Sequence, residues 1–353
     1  MKLRLLLSLT ALAMVAACGG SNPASSVDVG MGSLTGAGAT FPEPFYSKAF
    51  YLYNQAHPQV SVNYQAVGSG AGIQQFTKGT VDFGASDVPM QAADIATAGG
   101  DGSLVQVPAT LGVVAIAYNL PDVSRLQLDG PTLAAIYMGS VKKWNDPALA
   151  ALNQGVNLPS TAISVVHRSD GSGTTYHFTD YLGKVSSDWK AKVGVAKSVQ
   201  WPAGIGGKGN DGVAQSVKQT AGAIGYVELA YVVQTGMQQA FLTNRNGKFV
   251  QASVAGATAA AAQNGDVSPE NFSITDEPGD STYPIAGFSW IIVRTSILEA
   301  VKAKALVYLM KWLVTDGQQY GKDLQYAPLP QSVQSLALSN LKKVSSGGTP
   351  VLS

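Results

Sequence analysis

Two spacings take turns along most of this chain. Val60, Val62, Tyr64 and Ala66 fall at every second position with polar residues between them, the period of a half-buried strand. Residues 113–119 (VVAIAYN), 162–167 (AISVVH) and 288–294 (FSWIIVR) are more continuously apolar and predict more deeply buried strands. Between such segments the spacing becomes helical. Phe45, Ala49, Leu52, Tyr53 and Ala56 share one face, as do Leu298, Val301, Leu309, Trp312 and Leu313 within residues 296–316. Strands separated by helices predict an α/β fold with a largely parallel sheet. No repeat at a solenoid period is visible.

The N-terminus follows a different pattern. Lys2 and Arg4 precede an apolar run over residues 5–17 that is too short to span a bilayer but suits the core of an export signal. The run ends Val15-Ala16-Ala17-Cys18, and Cys18 is the only cysteine. Small residues before a lone cysteine fit a bacterial lipobox, in which Cys18 is lipidated; an ordinary cleaved signal is the alternative. Residues 1–18 are therefore read as a lipoprotein signal. Residues 19–32 (GGSNPASSVDVGMG) are read as a flexible tether spanning on the order of 20 Å.

Composition narrows the function. The 353 residues are 46% hydrophobic and 13% charged, with a formal net charge of +1. Such a chain can bury a large core, and nothing in its charge selects nucleic acid. One cysteine rules out an internal disulfide, and three histidines are few for a metal-dependent hydrolase. Neither a metal nor another cofactor is expected.

Three glycine-bearing segments each lead into a helical pattern. Gly36-Ala37-Gly38-Ala39-Thr40-Phe41 runs into Pro42-Glu43-Pro44, with Thr40 and Glu43 at capping-box spacing. Gly68-Ser69-Gly70-Ala71-Gly72 precedes Ile73–Lys78, with Gly79 as a stop. Asp170-Gly171-Ser172-Gly173-Thr174-Thr175 precedes Tyr176–Leu182, with Gly183 as a stop. A helix start presents unpaired N–H groups and partial positive charge, and glycine lets a ligand approach the backbone. Any one such hydroxyl more commonly caps its own helix. Three together can form an oxyanion site without net basic charge. Arg168 adds a planar fork suited to oxyanions, and Asp170 can hold it by a salt bridge. Asp87, in V-D-F-G-A-S-D, reads either as a turn carboxylate or as an acceptor for an anion that still carries a proton.

These segments together resemble the phosphate-binding proteins of phosphate-specific ABC transporters. The matching runs are L-T-G-A-G-A-T-F-P (34–42), N-Y-Q-A-V-G-S-G-A-G (63–72), V-D-F-G-A-S-D (81–87), R-S-D-G-S-G-T (168–174), G-G-K-G-N-D-G-V (206–213) and G-A-I-G-Y-V-E (222–228). The resemblance implies phosphate contacts at Thr40, the Phe41 N–H, Ser69, Asp87, Arg168, Ser172, Gly173 and Thr174, with Asp170 paired to Arg168. Gly70 departs from the serine found in many members. The resemblance further implies a two-domain periplasmic-binding-protein fold of type II, with the ligand in a cleft and a hinge crossed twice. The expected division is residues 33–107 plus 282–353 against 108–281. Residues 206–213 are given no ligand contact and read as a turn.

The function so implied is extracytoplasmic binding of inorganic phosphate, without catalysis, and its delivery to the membrane subunits of an ABC permease. A monomer is expected, anchored by lipid in the periplasm or at the cell surface, with the outer membrane possible because Gly19 follows Cys18. Two alternatives stay open: a binding protein for another oxyanion such as sulfate, or an exported phosphatase. Ser69 and Ser172 both lack the first glycine of a G-x-S-x-G elbow. His167 and His177 read as a strand residue and a helix-surface residue. A scaffold that kept the fold without the ligand is a further rival.

Overall fold

A computed structural model describes residues 28–352. Cys18, the export signal and residues 19–27 of the expected tether lie outside that range. No helix among the described residues is long and apolar enough to cross a membrane.

The sheet is built from eight principal strands. They are β1 (Gly32–Gly38), β2 (Val60–Ala66), β3 (Phe83–Ser86), β4 (Leu104–Tyr118), β5 (Ser164–Arg168), β6 (Ile205–Gly207), β7 (Ala223–Glu228) and β8 (Ile285–Arg294). Their order across the sheet is β2-β1-β3-β8-β4-β7-β5-β6. The flanks are parallel: β1 with β2 and β3, and β5 with β6 and β7. The centre is antiparallel, because β8 opposes both β3 and β4, and β4 opposes β7. The sheet is thus mixed rather than largely parallel. Residue periodicity reports which faces are buried and carries no information about strand direction.

The long strand β4 joins the two flanks. Up to Val113 it pairs with β8; from Val114 onward it pairs with β7. Each flank carries its own aromatic stack within one continuous core. On one side Tyr64 stacks on Phe83 with centroids 6.1 Å apart; on the other Phe178 stacks on Tyr226 at 4.2 Å.

Several expected boundaries move. Residues 28–32 are not tether: Val29 and Gly30 are buried, and Gly32 already pairs with Val60. A Cβ on Gly30 would lie 2.4 Å from the Val301 carbonyl, so this glycine permits close packing on the helix Ala300–Val314. That helix begins later than expected, which leaves Leu298 94% exposed and Val301 51% exposed rather than on the buried face. The helix Gly173–Val185 runs past Gly183 without stopping.

Every strand-to-helix turn that bears a predicted site residue lies at the carboxyl end of a strand. Thr40 follows β1, Ser69 follows β2, Asp87 follows β3, and Arg168 ends β5. Open α/β sheets gather ligands at this end, where helix N-termini converge.

Candidate functional site

Thr40, Ser69 and Asp87 form one side of the site. The expected capping box at Thr40 is not made: the helix Glu43–Ala56 starts from Pro42 with no side-chain cap. Thr40 instead turns its hydroxyl across the molecule. Its Oγ1 accepts from the Asn210 backbone N at 3.2 Å and from Asn210 Nδ2 at 2.9 Å. Its carbonyl accepts the Tyr231 hydroxyl at 2.6 Å, and the Phe41 carbonyl accepts Tyr326 at 2.7 Å. Ser69 opens the helix Ser69–Thr77 but does not cap it. Its Oγ accepts from Asp87 N at 3.2 Å and from Gly173 N at 3.1 Å.

Asp87 is 1% exposed. Burial pushes its carboxyl up to about 7, and the nearby Ser289 hydroxyl, the Arg168 charge and Ser69 only partly oppose this. Oδ2 takes a long contact from Ser69 at 3.5 Å. Among the described residues, no group of proper hydrogen-bond geometry reaches Oδ1.

The second side is held together internally. Arg168 presents Nε to Asp170 Oδ1 at 2.7 Å and Nη2 to Asp170 Oδ2 at 2.5 Å. Nη1 donates to Thr174 Oγ1 at 3.3 Å. Of the five N–H bonds on a guanidinium, these leave one on Nη1 and one on Nη2, the end of the fork opposite the chain. Burial pushes Asp170 up, but its bonds to Arg168 and that residue's charge prevail and hold the carboxyl below the usual range. Ser172 does cap its own helix: its Oγ accepts from Thr175 N at 3.1 Å, while its backbone N donates to the Lys197 carbonyl. Thr175 Oγ1 lies 2.7 Å from the Tyr226 hydroxyl, which accepts from Arg168 N at 3.0 Å.

The two sides touch through glycine. Gly70 N donates to the Gly171 carbonyl at 2.8 Å. A Cβ at Gly70 would sit 3.2 Å from Gly171 Cα, so a serine there needs a small local adjustment. A Cβ at Gly173 would lie 2.4 Å from both Asp87 Cβ and Asp87 Oδ2. At position 173 only glycine lets the Asp87 side chain lie so close to the backbone. The structure therefore brings Thr40, Phe41, Ser69, Asp87, Arg168, Asp170, Ser172, Gly173 and Thr174 to one interface.

Sequence reasoning missed part of that interface. Asn210, in the run read as a turn, is fully buried and bonded to both Thr40 and Thr174. Glu228 is also fully buried; its Oε2 accepts from Ala230 N and Tyr326, and burial pushes its carboxyl well up. His177 is not on a helix surface. It is 1% exposed, packed where Gly287 has no side chain, and burial lowers its ring to about 4. His167 stacks on Trp201. The glycines and hydroxyls gave a signal in sequence; the asparagine and the tyrosines gave none. A surface pocket of about 740 Å³ lies elsewhere, lined by Tyr53, His57, Tyr308 and Trp312, and gathers none of the predicted residues.

A PBP superfamily domain matches residues 23–316. The phosphate-binding protein PstS of Xylella fastidiosa (strain 9a5c) is 43% identical over 318 residues, covering 89% of this chain and 86% of its own. The PstS of Pasteurella multocida (strain Pm70) is 45% identical, covering 85% and 87%. The chain belongs to the PstS family of phosphate-binding proteins. The crystal structure of a phosphate-binding protein from Stenotrophomonas maltophilia shares the fold, with a TM-score of 0.67 at 19% identity, covering 87% of this chain and 93% of that one. The two-domain architecture expected of the family agrees with a sheet whose flanks meet at β4.

Proposed function

We propose that this chain binds inorganic phosphate outside the cytoplasmic membrane and delivers it to the membrane subunits of a phosphate ABC transporter. One observation carries the reading. Asp87 Oδ1 is a buried carboxylate oxygen without a hydrogen-bond partner, near enough to Arg168, which keeps unpaired N–H groups, to feel its charge. A ligand suited to both must be an oxyanion that brings a proton of its own. Monohydrogen phosphate does so; sulfate does not. Above pH 7, where Asp87 is mostly ionised, sulfate would leave that carboxylate unsatisfied, which costs about 1–3 kcal/mol or more.

The proposed contacts are Thr40, the Phe41 N–H, Ser69, Asp87, Arg168, Ser172, Gly173 and Thr174. Gly173 N already donates to Ser69 Oγ, so its contact with ligand is shared. Local charge does not drive binding, since Asp170 neutralises Arg168. Affinity comes from fixed donors in a water-excluded pocket.

The remaining proposals concern delivery. The chain is divided near residues 107 and 281 into halves that close on ligand by a hinge, and the change of partners along β4 at Val113–Val114 supports such a junction. Cys18 carries a lipid anchor, and residues 19–27 link it to the folded protein. The protein acts as a monomer and does not turn ligand over. Calorimetry at pH 8.5 on protein lacking residues 1–18 tests the reading: phosphate binds with one site per chain, and sulfate binds far more weakly. Equal binding of the two anions would overturn it. Turnover of a chromogenic phosphate ester would favour the exported phosphatase.

A further inference from the structure

We infer that Asn210 is a positioning residue that turns the Thr40 and Thr174 hydroxyls into obligate donors when the two sides of the site meet. The inference rests on the phosphate reading above. A threonine hydroxyl has two acceptor lone pairs and one proton. Thr40 Oγ1 receives Asn210 N at 3.2 Å and Asn210 Nδ2 at 2.9 Å, so both lone pairs are filled. Thr174 Oγ1 receives Asn210 Nδ2 at 3.1 Å and Arg168 Nη1 at 3.3 Å, so its lone pairs are filled as well. Each hydroxyl keeps only its proton to offer.

The amide cannot be turned over. Its Oδ1 accepts the Glu228 backbone N–H at 3.0 Å, and a backbone N–H only donates. A flipped amide would set NH₂ against N–H and leave oxygen facing the threonines. With Nδ2 spent on two hydroxyls and Oδ1 on Glu228, Asn210 has nothing left for the ligand. It acts through its neighbours. The same turn steadies Arg168, because Gly209 N donates to Asp170 Oδ1 at 3.1 Å.

The arrangement also reports closure. Thr40 follows β1 on one side; Asn210 and Thr174 belong to the other. Separation of the sides removes both donors from Thr40 Oγ1 and frees it to accept from water. The hydroxyl becomes donor-only as the site closes, at the moment an anion needs it.

The test is a double-mutant cycle read by phosphate calorimetry. Asn210→Ala should weaken phosphate binding by about tenfold to a hundredfold. Asn210→Asp keeps the shape and the bond to Glu228 but offers no side-chain donor, and should weaken binding at least as much. In a Thr40→Val, Thr174→Val background, Asn210→Ala should cost no more than about twofold, because the groups it acts through are gone. A merely structural asparagine would show its full effect in either background. That outcome, or parent-like affinity in both Asn210 variants, would overturn the inference while the phosphate reading stood. A parent protein without phosphate affinity would instead end the phosphate reading and this inference together.

Discussion

The two sides of the site are completed in different ways. On the Arg168–Thr174 side most polar groups find partners nearby: Arg168 in Asp170, Ser172 Oγ in Thr175 N, and Thr175 in Tyr226. On the Thr40–Ser69–Asp87 side the hydroxyl oxygens reach across. Thr40 Oγ1 accepts from Asn210, and Ser69 Oγ accepts in part from Gly173. One side is assembled as its domain folds; the other is finished only by contact between domains. Damage to the first should therefore appear in the stability of the ligand-free protein, and damage to the second in affinity.

The largest expected effect lies on the self-contained side. Asp170→Ala leaves a buried guanidinium without its partner, which costs about 3–5 kcal/mol. Urea denaturation of the ligand-free protein should show that loss, and phosphate binding should disappear with it. The Asp170 carboxyl is depressed in the folded state. Its contribution is therefore present above the unfolded carboxylate range near 3.9 and fades as pH falls through the lower folded value. A ligand-free protein as stable as the parent would show that this side is not held by the pair.

The second effect tests the side finished by contact. Asp87 is raised to about 7, so its protonated fraction grows as pH falls through neutrality. A protonated Asp87 donates and accepts a proton-free anion. Sulfate affinity should rise by about tenfold per pH unit while pH falls from 9 towards 8, and by only about fourfold more below pH 7.5, levelling off once Asp87 is neutral. Asp87→Asn should remove the pH dependence and admit sulfate at every pH. Calorimetry across that range checks both, and sulfate rejection unchanged at pH 5.5 would count against Asp87 as the discriminating group.

How much of this was legible follows from where each partner lies. Thr40, Ser69 and Ser172 were visible because a small hydroxyl residue amid glycine, ahead of a helical pattern, is a local signature. Which of them caps its own helix was not visible, because the signature is the same in all three. Only Ser172 does so; the other two are claimed by residues far away in sequence. Asn210 was hidden for the same reason, since its partner Thr40 lies 170 positions earlier. The antiparallel centre of the sheet was hidden because burial periodicity ignores strand direction, and β8 opposes both β3 and β4. His177 misled because helical spacing cannot foresee that Gly287 vacates room for it.

The two serines give the most direct comparison, at a smaller magnitude. Ser69→Ala leaves the Gly173 N–H without its acceptor, a penalty of about 1–3 kcal/mol felt when the domains meet, and removes an acceptor of the Asp87 N–H on its own side. Ser172→Ala removes a helix cap worth about 1 kcal/mol in the ligand-free fold. The expected pattern is a difference in proportion: Ser69→Ala loses more affinity for each degree of melting midpoint than Ser172→Ala, whose lost cap lowers the midpoint of the ligand-free protein by a few degrees beside the loss of its own ligand contact. If both variants lost affinity and stability in the same proportion, the distinction between the sides would be wrong.

The smallest effect belongs to the rim. Lys197 Nζ lies 3.8 Å from Asp94 Oδ2, and this pair also bridges the two sides. Burial lowers the lysine, and the aspartate only partly restores it. Both side chains keep substantial contact with solvent, at 26% and 38% exposure, so the pair is worth no more than about 0.5 kcal/mol. Lys197→Met should weaken phosphate binding by about twofold, and salt at 1 M should abolish the difference because screening then acts within a few ångströms. The Lys197 backbone is a separate matter, since its carbonyl accepts Ser172 N whatever the side chain. A tenfold, salt-insensitive loss in Lys197→Met would mean that contact between the domains is set at the edge of the cleft, by charge. The buried asparagine and serine bonds would then follow closure instead of directing it.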